Sequence, residues 1–108
     1  MASSAGRLPS GASAPYAAAK AGVIMFSRHL ANEVGRHGVR VNCVSPAAVL
    51  TERMRRLMPE DTQRAASFPL GRMGAPEDVA LATLCLASDS SSWLTGVMLD
   101  VAGGRIMV

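Results

Sequence analysis

Apolar and polar positions recur with two different periods along this chain, and the switches between them mark its elements. From Lys20, the residues Val23, Ile24, Ser27, Leu30, Ala31 and Val34 follow helical spacing and define one stripe for burial, while Arg28, Asn32, Glu33 and Arg36 fall off it. Pro15 suits the first helical position, with Ser13 or Ala14 at the N-cap, and Gly38 after Arg36 and His37 reads as the stop. Val39 to Ser45 then alternates and is β-branched, which predicts a strand ended by Pro46. Residues 51–72 are polar and rich in Met and Arg, with room for one or two short helices. Pro76-Glu77-Asp78 places a proline and two acids in the first turn of a second long helix, running through Val79, Leu81, Ala82, Leu84, Cys85 and Leu86 to Asp89-Ser90-Ser91-Ser92. Val97 to Val101 predicts a second strand before a Gly103-Gly104 turn, and residues 1–15, dominated by Ser, Ala, Gly and Pro, predict a loop. Helix, strand, excursion, helix and strand in that order make an α/β chain without internal repeats. An excursion of this size just beyond a strand's carboxyl end is where a lid over a site lies, so residues 51–72 are the candidate lid.

Composition narrows the classes. At 108 residues there is room for one small domain, and 49% apolar with 18% charged residues excludes a disordered tail. A net charge of +3 is modest, and with one Tyr, one Trp and two Phe there is little aromatic surface for stacking on bases, so no nucleic-acid partner is expected. No apolar run approaches the roughly 18 residues that cross a bilayer, and residues 1–15 lack the basic start and apolar centre of a signal peptide; the expectation is a cytoplasmic protein with no membrane partner. Cys43 and Cys85 are widely separated and accompany no CxxC or His-rich tract, so both are expected to be buried thiols, and no metal site is expected. His29 and His37 lack a partner at useful spacing and read as structural or exposed.

Candidate chemistry sits at the start of the first helix. Tyr16 is the only tyrosine and Lys20 the only lysine, and four residues apart on a helix they share one face with β-carbons about 5–6 Å apart. An ammonium one turn away stabilises the phenolate that a phenol leaves behind, which makes such a pair a proton-transfer unit. Elsewhere the chain uses arginine for positive charge, ten times in all. Lysine, with its compact charge on a flexible stem, suits a site where a guanidinium does not. A chance pairing at a helix start is the plain alternative.

Four further stretches, in order, make the chain resemble the classical short-chain dehydrogenases/reductases over essentially its whole length. Ser3-Ser4-Ala5-Gly6 places a serine thirteen residues before Tyr16, the family's separation of catalytic serine and tyrosine. Arg40-Val41-Asn42-Cys43-Val44-Ser45-Pro46 resembles the strand before the family's Pro-Gly turn, and Thr51 falls where a threonine commonly meets the cofactor. Pro69-Leu70-Gly71-Arg72-Met73-Gly74-Ala75-Pro76-Glu77-Asp78-Val79-Ala80 matches the stretch leading into the last long helix. Leu86-Ala87-Ser88-Asp89, Thr95-Gly96 and Gly103-Gly104 match the carboxyl-terminal stretch.

The resemblance implies the carboxyl-terminal portion of a Rossmann-like, doubly wound parallel sheet, with residues 1–108 a partial domain and the amino-terminal cofactor-binding half of a protein of roughly 250 residues absent. It implies a homo-oligomer in the intact family, and hydride transfer between NAD or NADP and a small-molecule carbonyl or secondary alcohol. Ser3, Tyr16 and Lys20 would be catalytic. Tyr16 and Lys20, with the Val49 backbone and the Thr51 side chain, would hold the cofactor, and Met54, Leu57, Met58 and Phe68 would line the substrate lid. The bland reading of those four is apolar packing beneath short helices. No glycine motif of the GxxxGxG kind occurs, so cofactor binding by this chain alone is not expected, and the truncated chain is expected to be inactive. Ala47 replaces the glycine after Pro46, where a β-carbon would crowd the nicotinamide, and Ala102 replaces the aspartate before the glycine pair. Ser3, two residues from the amino terminus, is expected to fray unless a preceding strand holds it. Two functional classes therefore compete: the catalytic part of an oxidoreductase, and a non-enzymatic remnant serving as an oligomerisation or interaction module.

Overall fold

Two short parallel strands lie between two long helices in the computed structural model, which describes residues 1–58 and 62–107. Strand β1 (Cys43–Pro46) pairs with β2 (Met98–Val101) in the register Cys43 to Met98, Val44 to Leu99, Ser45 to Asp100 and Pro46 to Val101. Successive side chains of a strand face opposite ways, so this register sorts the pairs between two layers. Cys43 and Met98 face helix α1 (Ala14–Val34), where Ala2, Val23 and Ile24 complete a small apolar cluster and the Cys43 thiol reaches Ser27 Oγ at 3.1 Å. Val44 and Leu99 face the other long helix, Pro76–Ala87, whose buried anchor is Leu86. The result is an α/β/α layering on a parallel pair, covered on both faces as parallel sheets require.

Helix α1 follows its predicted stripe: Ile24 and Ala31 are buried, Lys20, Val23, Ser27, Leu30 and Val34 are half-buried, and the charged positions off the stripe are exposed. A 3-10 turn (Gly35–His37) extends it and Gly38 ends it with φ of 74°, as the sequence required of a glycine there. Both strands are shorter than predicted. Val39 to Asn42 lie outside β1 because their hydrogen bonds go to side chains and a turn instead of a ladder. Val41 N–H donates to Thr95 Oγ1 at 3.1 Å, Asn42 Oδ1 accepts from Val97 N–H at 3.0 Å, and Asn42 Nδ2 donates to Leu94 O at 2.8 Å. Arg40 turns away to close the carboxyl end of the last helix, donating to Leu86 O at 2.8 Å, Ser91 Oγ at 2.9 Å and Ser88 O at 3.2 Å.

The excursion after β1 is closed at its neck by a parallel bridge between Val49 and Gly74, with Leu50 N–H donating to Gly74 O at 2.8 Å and Gly74 N–H to Ala48 O at 3.1 Å. It carries two short helices, α2 (Glu52–Leu57) and α3 (Thr62–Ala66), and the last long helix is α4. Two expectations are corrected. Cys85 is exposed, because it lies on the outer face of α4 with Leu81 and Leu84, which are 66% and 64% exposed. Ser3 is held: Ala2 N–H donates to Val44 O at 2.8 Å, so the first residues run along the free edge of β1 and Ala2 is buried.

Candidate active site

The carboxyl end of β1, the turn after Ser3 and the start of α1 meet around a cavity of about 370 Å³. Ser3 and Tyr16 both line it, with Leu8, Ala47, Ala48, Arg64, Arg105 and Ile106. Sites in open α/β sheets lie outside the carboxyl ends of the strands, and this one does. Ser3 caps a 3-10 turn (Ser4–Gly6), its Oγ accepting from Ala5 N–H at 3.3 Å. A hydroxyl that accepts from its own turn keeps its proton to donate, which is what an oxygen of a bound carbonyl needs.

Close approach fixes that turn. A β-carbon on Gly6 would stand 2.7 Å from both Ala21 N and Lys20 C, so only glycine lets the turn press on the α1 backbone one helical turn beyond Tyr16. On α1 itself, the Lys20 ammonium lies 5.6 Å from the Tyr16 ring centroid and donates to Met1 O at 3.3 Å, while Tyr16 is 46% exposed and lines the cavity. The i, i+4 face read from sequence is therefore formed, and Ser3, Tyr16 and Lys20 are brought together from two segments.

Val49 and Thr51 stand at the neck of the excursion. The bridge to Gly74 engages the peptide groups of Ala48 and Leu50, and no partner is found for Val49 N–H among the described residues. Thr51 caps α2, its Oγ1 accepting from Met54 N–H at 3.2 Å, and its N–H donates to Val49 O at 2.9 Å. The four expected lid contacts go elsewhere. Met54 is half-buried on α2, Leu57 and Met58 are exposed, and Phe68 is buried at 3% exposure beneath the Gly103 turn; none of them lines the cavity of Ser3 and Tyr16. Arg64, Arg105 and Ile106 do line it, and sequence reading passed over all three. The Gly103-Gly104 pair was the available signal, since a turn there sends the following residues back toward the site.

A family model described as enoyl-(acyl carrier protein) reductase matches residues 1–105. The chain belongs to the short-chain dehydrogenase/reductase family. An oxidoreductase of this family from Burkholderia thailandensis superimposes with a TM-score of 0.90 at 40% identity, over 97% of this chain and 42% of the other. The 3-oxoacyl-[acyl-carrier-protein] reductase of Escherichia coli is 45% identical over 106 residues, covering 95% of this chain and 43% of that protein. A 3-oxoacyl-[acyl-carrier protein] reductase from Brucella melitensis, solved with bound NAD, matches with a TM-score of 0.85 at 36% identity, over 99% of this chain and 39% of the other. The chain thus spans about two fifths of the length of these short-chain dehydrogenases/reductases and corresponds to their carboxyl-terminal portion.

The residues present fit one end of a nicotinamide dinucleotide. An ammonium beside a phenol, with the Val49 N–H, unpartnered among the described residues, next to cavity-lining Ala48, offers donors to a ribose and a carboxamide. The pyrophosphate end finds no match among the described residues. At the start of α4 the N-cap N–H of Ala75 already donates to Asp78 Oδ2 at 2.7 Å, and no glycine-rich turn opens α1.

Proposed function

We propose that this chain is the catalytic and substrate-side part of an NAD- or NADP-dependent oxidoreductase that interconverts a carbonyl and a secondary alcohol. A nicotinamide cofactor held by Lys20, Val49 and Thr51 together with a dinucleotide-binding half would supply or accept the hydride. Tyr16 then gives its phenolic proton to the carbonyl oxygen, the Lys20 ammonium stabilises the phenolate left behind, and Ser3 donates a hydrogen bond to the same oxygen as negative charge develops. In the alcohol-oxidising direction the Tyr16 phenolate accepts the hydroxyl proton. Lys20 also holds the ribose hydroxyls, and Val49 N–H and Thr51 the carboxamide. Met54, Leu57 and Met58 contribute to substrate binding only if the 51–72 lid moves over the cavity. Phe68 acts from beneath it. The reductase names of the relatives favour an oxoacyl thioester as substrate, and a homo-oligomer as in the intact family is expected.

The observation that supports this reading is the convergence of Ser3 and Tyr16 on one cavity, with the only lysine one turn behind the tyrosine. Joining the chain behind the amino-terminal part of the Escherichia coli relative tests it. That protein is expected to consume NADH or NADPH with an oxoacyl thioester. Tyr16→Phe should lower kcat by roughly a hundredfold or more while leaving cofactor affinity close to intact. Lys20→Ala should weaken both, and Lys20→Arg should not rescue, because a planar guanidinium is not a compact ammonium. Equal, small losses from the tyrosine and lysine changes would defeat these roles. The interaction-module reading draws on Phe26, Leu81, Leu84 and Trp93, all strongly exposed. It gains if the joined protein is silent yet still assembles.

A further inference from the structure

Resting on the carbonyl reading above, the geometry points to Arg105 as a specificity residue that binds an oxyanion on the substrate. The turn Ala102 to Arg105 is closed by Arg105 N–H donating to Ala102 O at 2.9 Å, and Gly103 and Gly104 both hold positive φ, 56° and 85°. A β-carbon on Gly104 would come within 2.8 Å of Pro69 Cβ, and one on Gly103 within 3.2 Å of Phe68 Cδ1. The glycines therefore let the end of the chain dock against the base of the excursion, and this aims Arg105 into the cavity that Ser3 and Tyr16 line.

Arg105 is exposed, and its side chain lies over an aromatic ring with no ion pair among the described residues. The Arg105 guanidinium carbon lies 5.4 Å from the centroid of the buried Phe68 ring, a cation–π contact that uses none of its N–H donors on a carboxylate. No acidic side chain lines this cavity among the described residues. Arg64, which also lines it, donates to Met58 Sδ at 3.3 Å and is not needed for the argument. A guanidinium lining the same cavity as a proton donor and a serine hydroxyl, with no carboxylate among the described lining residues, selects a carbonyl compound that carries its own negative charge. Two sources present that chemistry: the carboxylate of a short oxo acid, and the phosphate of a phosphopantetheine arm on an acyl thioester.

Equilibrium dialysis of the full chain, which reads binding whatever the state of association, separates them. The ligands are acetoacetate and its neutral methyl ester, and 4′-phosphopantetheine and its neutral counterpart pantetheine. One anion is expected to bind roughly tenfold to a hundredfold tighter than its neutral partner, the range of a hydrogen bond to a charged group. A preference for acetoacetate identifies the oxo acid, and a preference for phosphopantetheine identifies the carrier arm. Arg105→Met should abolish the preference and Arg105→Lys should keep part of it. Phenylglyoxal labelling of Arg105, read by mass spectrometry, should be suppressed by the preferred anion. Equal binding of anion and neutral partner, or a preference that survives Arg105→Met, overturns the inference and leaves the carbonyl reading standing. No binding of any of the four overturns the inference and removes support from the carbonyl reading as well.

Discussion

Gly6 decides at the scale of one residue whether Ser3 and Tyr16 share a site. The turn that carries Ser3 touches the α1 backbone rather than a side chain, and backbone in the middle of a helix does not give way. A methyl group placed 2.7 Å from Ala21 N and Lys20 C must push the turn off the helix. Gly6→Ala is therefore expected to cost about 1–3 kcal/mol, the range for overpacking, and to separate Ser3 from Tyr16. The comparison that checks this is Gly11→Ala in the same loop, where nothing lies within 4 Å of the added carbon. The Gly11 variant should leave thermal stability within experimental error while the Gly6 variant lowers it, and similar melts for the two would refute the close packing.

Charge placement governs the element that closes the fold. At the start of α4, Asp78 accepts from Arg72 at 2.7 and 2.9 Å and from Ala75 N–H, one half of a capping box, and its own N–H donates to Ala75 O at 3.1 Å in place of the side-chain acceptor that alanine lacks. The Arg72 side chain and then the Ala75 N–H bond hold the Asp78 carboxyl at about 2, below its ordinary 3.8. A carboxyl lowered on folding stabilises the folded state above its unfolded value, and that contribution is lost as pH falls through the folded value. The cap of α4 should therefore persist at pH 4 and disappear between pH 4 and about pH 2. Carbon-detected NMR titration of Asp78 checks this directly: Arg72→Met should move the midpoint back toward 3.8, and an unmoved midpoint would show that the pairing is not what lowers it. At the other end of α4, Arg40 supplies the positive charge that a helix carboxyl terminus favours.

Seen whole, the molecule leaves too much of itself in contact with water. Its surface of 7285 Å² exceeds the roughly 5,700 Å² of an ordinary folded monomer of this mass by on the order of 1,600 Å². That excess is about twice the roughly 800 Å² that each partner contributes to a standard protein interface. The radius of gyration, 14.9 Å, exceeds the roughly 13 Å of a compact chain of this length. Among the described residues the fully buried side chains are serines, Ser45 and Ser91, while Phe26, Leu70, Leu81, Leu84 and Trp93 are 64% to 96% exposed. Two paired strands give little cooperative core. In isolation the chain is expected to self-associate and to melt broadly. Size-exclusion chromatography with light scattering and a thermal melt provide the check, and a monodisperse monomer with a sharp transition would contradict it.

Local rules in the sequence determined what depends on neighbours a few residues away. Helical spacing alone put Lys20 behind Tyr16 and drew the buried stripe of α1; Gly38, Pro76 and the Gly103-Gly104 pair marked ends and turns because their backbone preferences act on the spot. The α/β class and the order of elements followed from the change of period. Destinations across the sheet did not. Nothing near Phe68 in sequence says that its ring will support Arg105 rather than line a lid, or that Cys85 will fall on the outer face of α4 while Cys43 is buried. Strand ends escaped prediction because Asn42 and Thr95 satisfy the backbone with side chains, an exchange between residues more than fifty positions apart. The same holds for the Arg7 pairing with Asp100, which ties the Ser3 turn to β2. Periodicity encodes which face of an element is apolar, but which groups meet there is set by packing between distant segments, and only the tertiary structure decided that.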